Sequence, residues 1–407
     1  MRLCFVTQEY PSVTDYWGGI GTQYARLAPA LGRLGHEVHV LTLPSAGAGT
    51  PQEVDGVRIH TLGAPRAWPW RALARARTVD AELRRLGPFD AVIAPEYRGE
   101  AALYARSQRA GPLVTHLLTS TAQLIAIRPG LTATERHGPN ALLTRLLERR
   151  QAERSAALIA PGAAILEWAR LLWNVTALPA EVVPLCIDVQ YVRAAAADDP
   201  PDTFPRDRPI VAFASRLDGH KGAQQLVSAM TRVWDDDPSP ALVFIGRDAP
   251  WEGRMMSDHL RELAGLHAAR CHFMGFLPDE AYFACVARSD VIAIPSLWES
   301  FCIAAVEAMA LARPLIGTAG HGFSEFVEDG RNGLLVSRGS VDELEGAIRD
   351  LLNDAGRRRE LGSAASDTAD TLDAPAVAPR FVEGLERVLA QAGGATRRGA
   401  GRDVGTR

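Results

Sequence analysis

Short apolar runs of four or five residues alternate with longer stretches of helical spacing along most of this chain, and that alternation most constrains its fold. An apolar run bounded by turn residues is a strand buried on both faces. A helix-length connection between two such runs predicts β-α units in a parallel sheet. Leu3–Thr7 is the first run. A glycine-containing loop follows, then a predicted helix over about Thr22–Leu34, which Gly35 stops where helices commonly end on glycine. Val38–Thr42, Ala91–Ala94, Leu113–His116, Leu158–Ala160 and Glu181–Pro184 continue the series.

A second series opens at Ile210–Ala214 and runs through Ala241–Ile245, Cys271–Met274, Val291–Ile294 and Pro314–Gly317. Helices are predicted at Ala223–Trp234 and Val341–Leu352. The 407 residues suffice for two or three domains. The boundary is placed near Pro184–Asp188, ahead of a stretch rich in Ala, Asp and Pro (Arg193–Arg208). The expected domains are 1–186 and 187–375, with a helix over about 376–391 and an unstructured tail over 392–407.

Composition excludes several classes. The 44 Lys and Arg against 48 Asp and Glu leave a net charge of -4, so no basic field invites nucleic acid. Five scattered cysteines without a CxxC pair suggest neither a zinc site nor a disulfide framework, which points to a reducing, cytoplasmic compartment. Met1–Thr7 lacks the apolar stretch of a signal peptide. The most apolar window, Ala156–Trp173, is interrupted by Pro161, Gly162, Glu167 and Arg170, too often for a membrane span. Trp68 and Trp70 among Arg66, Arg71, Arg75 and Arg77 leave a membrane-surface contact open, though Asp80 and Glu82 dilute the patch and do not favour it.

Three loops carry the chemistry. Gly18 and Gly19 lie between the first strand and the first helix, where backbone approaches a ligand closely and a helix N-terminus offers N–H groups to an anion. Tyr24 stands where GxGxxG needs its third glycine, which disfavours a nicotinamide site; a ligand-free tight turn is the alternative. Arg216 and Lys221 flank a turn after the strand that opens the second half. There they match a diphosphate, or are two solvated cations. After Val291–Ile294, Ser300 is a candidate cap for a helix starting near Phe301, whose dipole would favour the same anion. Glu299 and Glu307 suit two hydroxyl-bearing groups, a hexose and a ribose, on either side of a diphosphate. Alternatively they are a cap residue and an ion-pair member.

With these residues in order, the sequence resembles the family-4 retaining glycosyltransferases. The shared elements are Gly18-Gly19, Gly35-His36-Glu37-Val38, Val183–Asp188, Arg216–Lys221, Phe273–Leu277, Glu299-x7-Glu307 and Val327–Val336. The resemblance implies an α/β GT-B fold: two facing Rossmann-like domains with parallel sheets and an interdomain cleft. The first would bind the acceptor, with the C-terminal helix packed back on it, and the second the nucleotide sugar. It also implies roles. Glu299 would bind donor-sugar hydroxyls and Glu307 the ribose, while Arg216 and Lys221 neutralise the diphosphate. Gly18, Gly19 and the backbone of Phe301, Cys302 and Ile303 would approach donor phosphate or sugar. Phe276 would border the base, and His116 would stand beside the sugar, unless it is a satisfied strand-end histidine. No cofactor and no metal is implied.

The chain departs from the family at three places. Glycine is usual where Cys302 stands, a small-residue–glycine pair where Ala312-Arg313 precede Pro314, and a glycine-rich stretch where Ala319–Glu325 stand. The expected activity is retaining transfer of a hexosyl or N-acetylhexosaminyl group, from a donor expected to be UDP-linked, to a hydroxyl of a small polar acceptor such as an aminocyclitol or sugar. Acceptor segments are Tyr10–Tyr16, Pro95–Glu100 and Thr119–Asn140, with Asp15, Glu96, Arg98 and Glu100 lending polar, partly acidic character. A membrane-associated transferase with a lipid acceptor and a non-catalytic sugar-nucleotide-binding protein are the alternatives. A phosphorylase is disfavoured because the second half's only lysine is Lys221.

Overall fold

Most strands of this chain, seen in a computed structural model, divide between two largely parallel sheets, one in each of two units. The structure describes residues 1–11, 13–14, 18–42, 52–63, 71–128 and 131–400. The first unit comprises Met1–Ala126, Thr132–Cys186 and the chain from Ala374 onward. The second comprises Ile127–Leu131 and Ile187–Asp373.

In the first unit the strands are β1 (Arg2–Thr7), β2 (Glu37–Thr42), β3 (Gln52–Val54), β4 (Val57–Thr61), β5 (Ala91–Pro95), β6 (Leu113–His116), β7 (Ala157–Ala160) and β8 (Ala180–Val182). They stand in the order β3-β4-β2-β1-β5-β6-β7-β8, and only β3 runs antiparallel to its neighbour. The helices are α1 (Gly19–Arg33), α2 (Arg71–Leu86), α3 (Thr121–Ile127), α4 (Ala133–His137), α5 (Pro139–Arg154) and α6 (Ala163–Leu172), with a C-terminal helix at Ala374–Ala400. Side-chain alternation splits β1 between two buried faces. Cys4 and Val6 pack toward Val79 and Leu83 of α2. Phe5 faces the other way, with ring centroids 5.0 Å from Tyr24 and 6.1 Å from Phe381 of the C-terminal helix.

The second unit holds β9 (Ile210–Ala214), β10 (Ala241–Ile245), the short hairpin β11 (Pro250–Trp251) and β12 (Arg254–Met255), then β13 (Cys271–Gly275), β14 (Val291–Ala293), β15 (Leu315–Thr318) and β16 (Leu334–Val336). Its parallel sheet runs β13-β10-β9-β14-β15-β16. The helices are α7 (Val189–Ala195), α8 (Ala223–Asp236), α9 (Met256–Ala264), α10 (Asp279–Arg288), α11 (Ile303–Ala310), α12 (Val341–Asn353) and α13 (Ala355–Thr371). Phe213 and Phe244 are fully buried against α8 and α12, with Phe273 stacked on Phe244 at 4.8 Å. Burying one such ring contributes roughly 1.5–3 kcal/mol.

Strand order reverses beside β1 in the first sheet and beside β9 in the second, and ligands of parallel sheets bind at the carboxyl ends of such strands. The sequence expectations differ from the structure at several points. Helix α1 starts at Gly19, three residues before Thr22, because Glu9 Oε2 accepts the Gly18 N–H (2.6 Å) and secures its first turn. Strands β3 and β4 escaped notice because they are short and carry alternating polar residues. The C-terminal helix continues to Ala400, so residues 392–400 are not an unstructured tail; a helix already nucleated extends at little cost. Residues 401–407 of that tail lie outside the described residues. No described helix is long and apolar enough to cross a membrane.

Candidate active site

Three loops at the carboxyl ends of β9, β14 and β15 close on Glu299. The first is held to the second where Gly222 meets Pro295: an added Cβ would stand 2.0 Å from the Pro295 carbonyl oxygen. The Leu297 N–H also donates to the His220 carbonyl (2.8 Å). The third loop abuts the second at Gly322, where an added Cβ would lie 2.5 Å from the Phe301 nitrogen. There the Gly322 N–H donates to the Glu299 carbonyl (3.1 Å), and the Glu299 N–H donates to His321 Nδ1 (3.2 Å).

Lys221 Nζ lies 2.7 Å from Glu299 Oε1, and Ser296 Oγ donates to the same oxygen at 2.7 Å. Glu299 Oε2 accepts from no described residue. Glu299 is 7% exposed. Burial alone would raise its pKa, but the Lys221 charge and hydrogen bond, aided by Ser296, hold it below the usual carboxylate range. The site therefore keeps an ionised carboxylate with one oxygen free for a ligand.

Arg216 and Lys221 each face a carboxylate. Lys221 turns to Glu299, whereas the half-exposed Arg216 guanidinium lies 4.0 Å from Asp218. Asp218 is held in its ionised form by His220, Arg128 and Arg216 against the opposing effect of burial. Helix α11 starts at Ile303, not near Phe301, and Cys302 rather than Ser300 is its N-cap. The close approach of Gly322 and the packing of Phe301 on Phe326 (4.9 Å) turn the chain away from helical geometry there. Cys302 takes φ 89°, the left-handed region, which explains the glycine usual at this position. Burial pushes its thiol pKa up, so it is no thiolate nucleophile. Glu307, in the second turn of α11, accepts from Tyr282 Oη at 3.2 Å. Phe276, after β13, is 59% exposed, with the Arg247 guanidinium over its ring (5.3 Å to the centroid).

Gly18, Gly19 and His116 belong to the first unit. Gly18 caps α1 and Gly19 is its first residue. His116 is only 1% exposed, with its ring 5.9 Å from Tyr24 and 6.1 Å from Phe381. Burial lowers its pKa to about 3, so the ring is neutral. Its Nδ1 stands 3.4 Å from Tyr24 Oη, while the buried Nε2 has no hydrogen-bond partner among the described residues. Gln8, Glu9, Tyr97 and Glu100 line a small pocket at the ends of β1 and β5. Glu96 is instead enclosed, both oxygens accepting from the Leu118 N–H (3.0 and 2.8 Å). Asp15, Trp68 and Trp70 lie outside the described residues. Among the described residues no cluster of three or more His, Cys, Asp or Glu is placed to hold a metal.

Two family models match the chain. Residues 18–186 match the glycosyl transferase 4-like domain and residues 196–368 match glycosyl transferases group 1. The 2-deoxystreptamine N-acetyl-D-glucosaminyltransferase of Streptomyces fradiae is 32% identical over 389 residues, 88% of this chain and 87% of that protein. The chain belongs to the family-4 glycosyltransferases. In fold this glycosyltransferase is similar to sucrose-phosphate synthase from Thermosynechococcus elongatus (TM-score 0.76, 21% identity, 96% of this chain and 99% of that one). It also resembles Anabaena Alr3699/HepE, solved with UDP and glucose (TM-score 0.69, 19% identity, 94% and 99%). These likenesses establish a GT-B glycosyltransferase, a transferase enzyme.

Several of the glycosyltransferase's site residues were not foreseen: Ser296, His321, Tyr282 and Glu9. Only the displaced glycine stretch around His321 gave a sequence signal. Lys221 is the single lysine of the whole chain, among 44 Lys and Arg. An arginine could not take its place unchanged: the compact ammonium fits beside one carboxylate oxygen, where a planar fork would need two acceptors.

Proposed function

We propose that this enzyme transfers a hexosyl or N-acetylhexosaminyl group, with retention, from a UDP sugar to a hydroxyl of a small polar acceptor such as an aminocyclitol. The observation that carries the reading is the Lys221–Glu299 pair. Its free Oε2 suits a sugar hydroxyl, and the remaining protons of Lys221 suit the adjoining phosphate. Arg216 and the N-terminus of α11 add positive potential where the leaving diphosphate gathers charge, so departure needs no metal. Phe276 offers its face to the base and Glu307 its carboxylate to the ribose. The activity of the Streptomyces fradiae relative on 2-deoxystreptamine supports an N-acetylglucosaminyl donor and an amine-bearing cyclitol acceptor. Gln8, Glu9 and Glu100, side by side at the ends of β1 and β5, supply the polar and acidic chemistry an amine-bearing acceptor would need on the first unit.

For retention we favour front-face displacement, in which the departing phosphate takes the acceptor proton as the new glycosidic bond forms. Glu299 is occupied by sugar binding, and no described carboxylate stands out as a nucleophile. Incubation of UDP-GlcNAc or UDP-glucose with 2-deoxystreptamine, followed by mass spectrometry and anomeric NMR, tests the reading. An α-linked product is expected. Hydrolysis alone, an inverted product, or a glycosyl ester trapped on a carboxylate would each overturn part of it.

A further inference from the structure

His321 occupies the loop after β15, in the stretch where the family usually carries glycines. Its Nδ1 accepts the Glu299 N–H (3.2 Å), so the proton of the neutral ring resides on Nε2. That Nε2 is buried and has no partner among the described residues, in a side chain only 5% exposed. Trp298 at 6.4 Å and Phe323 at 6.1 Å give it aromatic surroundings that supply no acceptor of comparable strength. A buried N–H left unpaired is costly, and such groups commonly answer to a ligand.

We propose that His321 is a donor-binding residue whose Nε2–H donates to a hydroxyl oxygen of the hexose held by Glu299. The inference rests on the reading of Glu299 as the sugar-binding carboxylate. A hydroxyl gives a proton and accepts one, so it can satisfy a carboxylate and a neutral imidazole together. A phosphate oxygen only accepts, and the ionised Glu299 beside it would repel it. Burial lowers the ring's pKa to about 4, so it carries no charge to attract phosphate at neutral pH. Lys221 and Arg338 also face the ring and oppose its protonation, while Glu299 favours it.

Calorimetric titration of the full chain with UDP, UDP-glucose and UDP-GlcNAc tests this with His321→Asn and His321→Gln. The Asn oxygen can still accept the Glu299 N–H but leaves nothing at the Nε2 position, which the Gln amide can reach. The Asn variant is expected to bind UDP as the wild type does and the UDP sugar about five- to tenfold more weakly, with Gln recovering part of the loss. Unchanged sugar-nucleotide binding in the Asn variant would overturn the proposal and leave the role of Glu299 standing. Equal weakening of UDP would also overturn it, placing the ring on the nucleotide. A wild type that binds no UDP sugar would sink the reading of Glu299 as well. Independently of any variant, nitrogen NMR of the wild type at neutral pH should show the Nε2–H tautomer; the Nδ1–H tautomer contradicts the proposal.

Discussion

Gly222 and Pro295 touch so closely that no side chain fits between them: a Cβ on Gly222 would lie 2.0 Å from the Pro295 carbonyl oxygen. Gly222 also has φ 81°, where an L side chain is strained. This contact seats Lys221 against Glu299. Gly222→Ala should therefore cost at least about 2 kcal/mol in denaturant unfolding and reduce transfer as well. A variant of unchanged stability would show that the contact does not hold the loops.

The single lysine gives a second prediction. Lys221→Met should lower kcat/KM by about 10²–10³-fold, the usual cost of losing one charge-stabilising donor. It should also shift the pH profile. Lys221 holds the Glu299 pKa down; without it burial pushes that pKa up, so the acid limb of kcat/KM moves to higher pH. An unmoved acid limb would dissociate Glu299 from the rate. Glu299→Ala should abolish transfer while the fold survives.

Ala312 offers a test of the scaffold alone. It follows α11 with φ 54°, and the Arg313 N–H reaches back to the Ala308 carbonyl (3.1 Å) in the manner of a helix that ends on glycine. Ala312→Gly should stabilise the protein by about 1 kcal/mol, raising Tm by roughly 2–4 °C, with transfer unchanged. A lower Tm would mean that the alanine methyl packs better than its backbone suggests.

Glu96 predicts a pH effect in the first unit. Burial raises its folded pKa to about 8, above the ordinary carboxylate value of 4.5. The folded form keeps its proton where the unfolded chain loses it, so its contribution is full below about pH 4.5 and is lost as pH rises toward 8. Glu96→Gln removes that titration. Its Tm relative to wild type should rise between pH 5 and pH 8, by an amount equivalent to about 3–4 kcal/mol. Parallel melting curves would show that Glu96 ionises freely.

The strand cores and the Glu299-x7-Glu307 pair were legible because their signals are local. Apolar runs such as Ile210–Ala214 and Val291–Ile294 reveal strands on their own, and a carboxylate in an apolar stretch is conspicuous. The start of α11 was not legible, because the packing of Phe301 and Gly322, from separate loops, displaces it to Ile303. Nor was the enclosure of His116, which Phe381 completes from the far end of the chain.

The sequence by itself determined the alternating strands and helices, the family, and which residue types stand at the loop positions, since periodicity and side-chain chemistry are properties of neighbouring residues. Only the tertiary structure decided that Lys221 meets Glu299 across 78 residues and that His321 supports Glu299 from a third loop. Those contacts depend on β9, β14 and β15 lying side by side in one sheet. Their order sets which loops converge, and no local stretch of sequence carries that order.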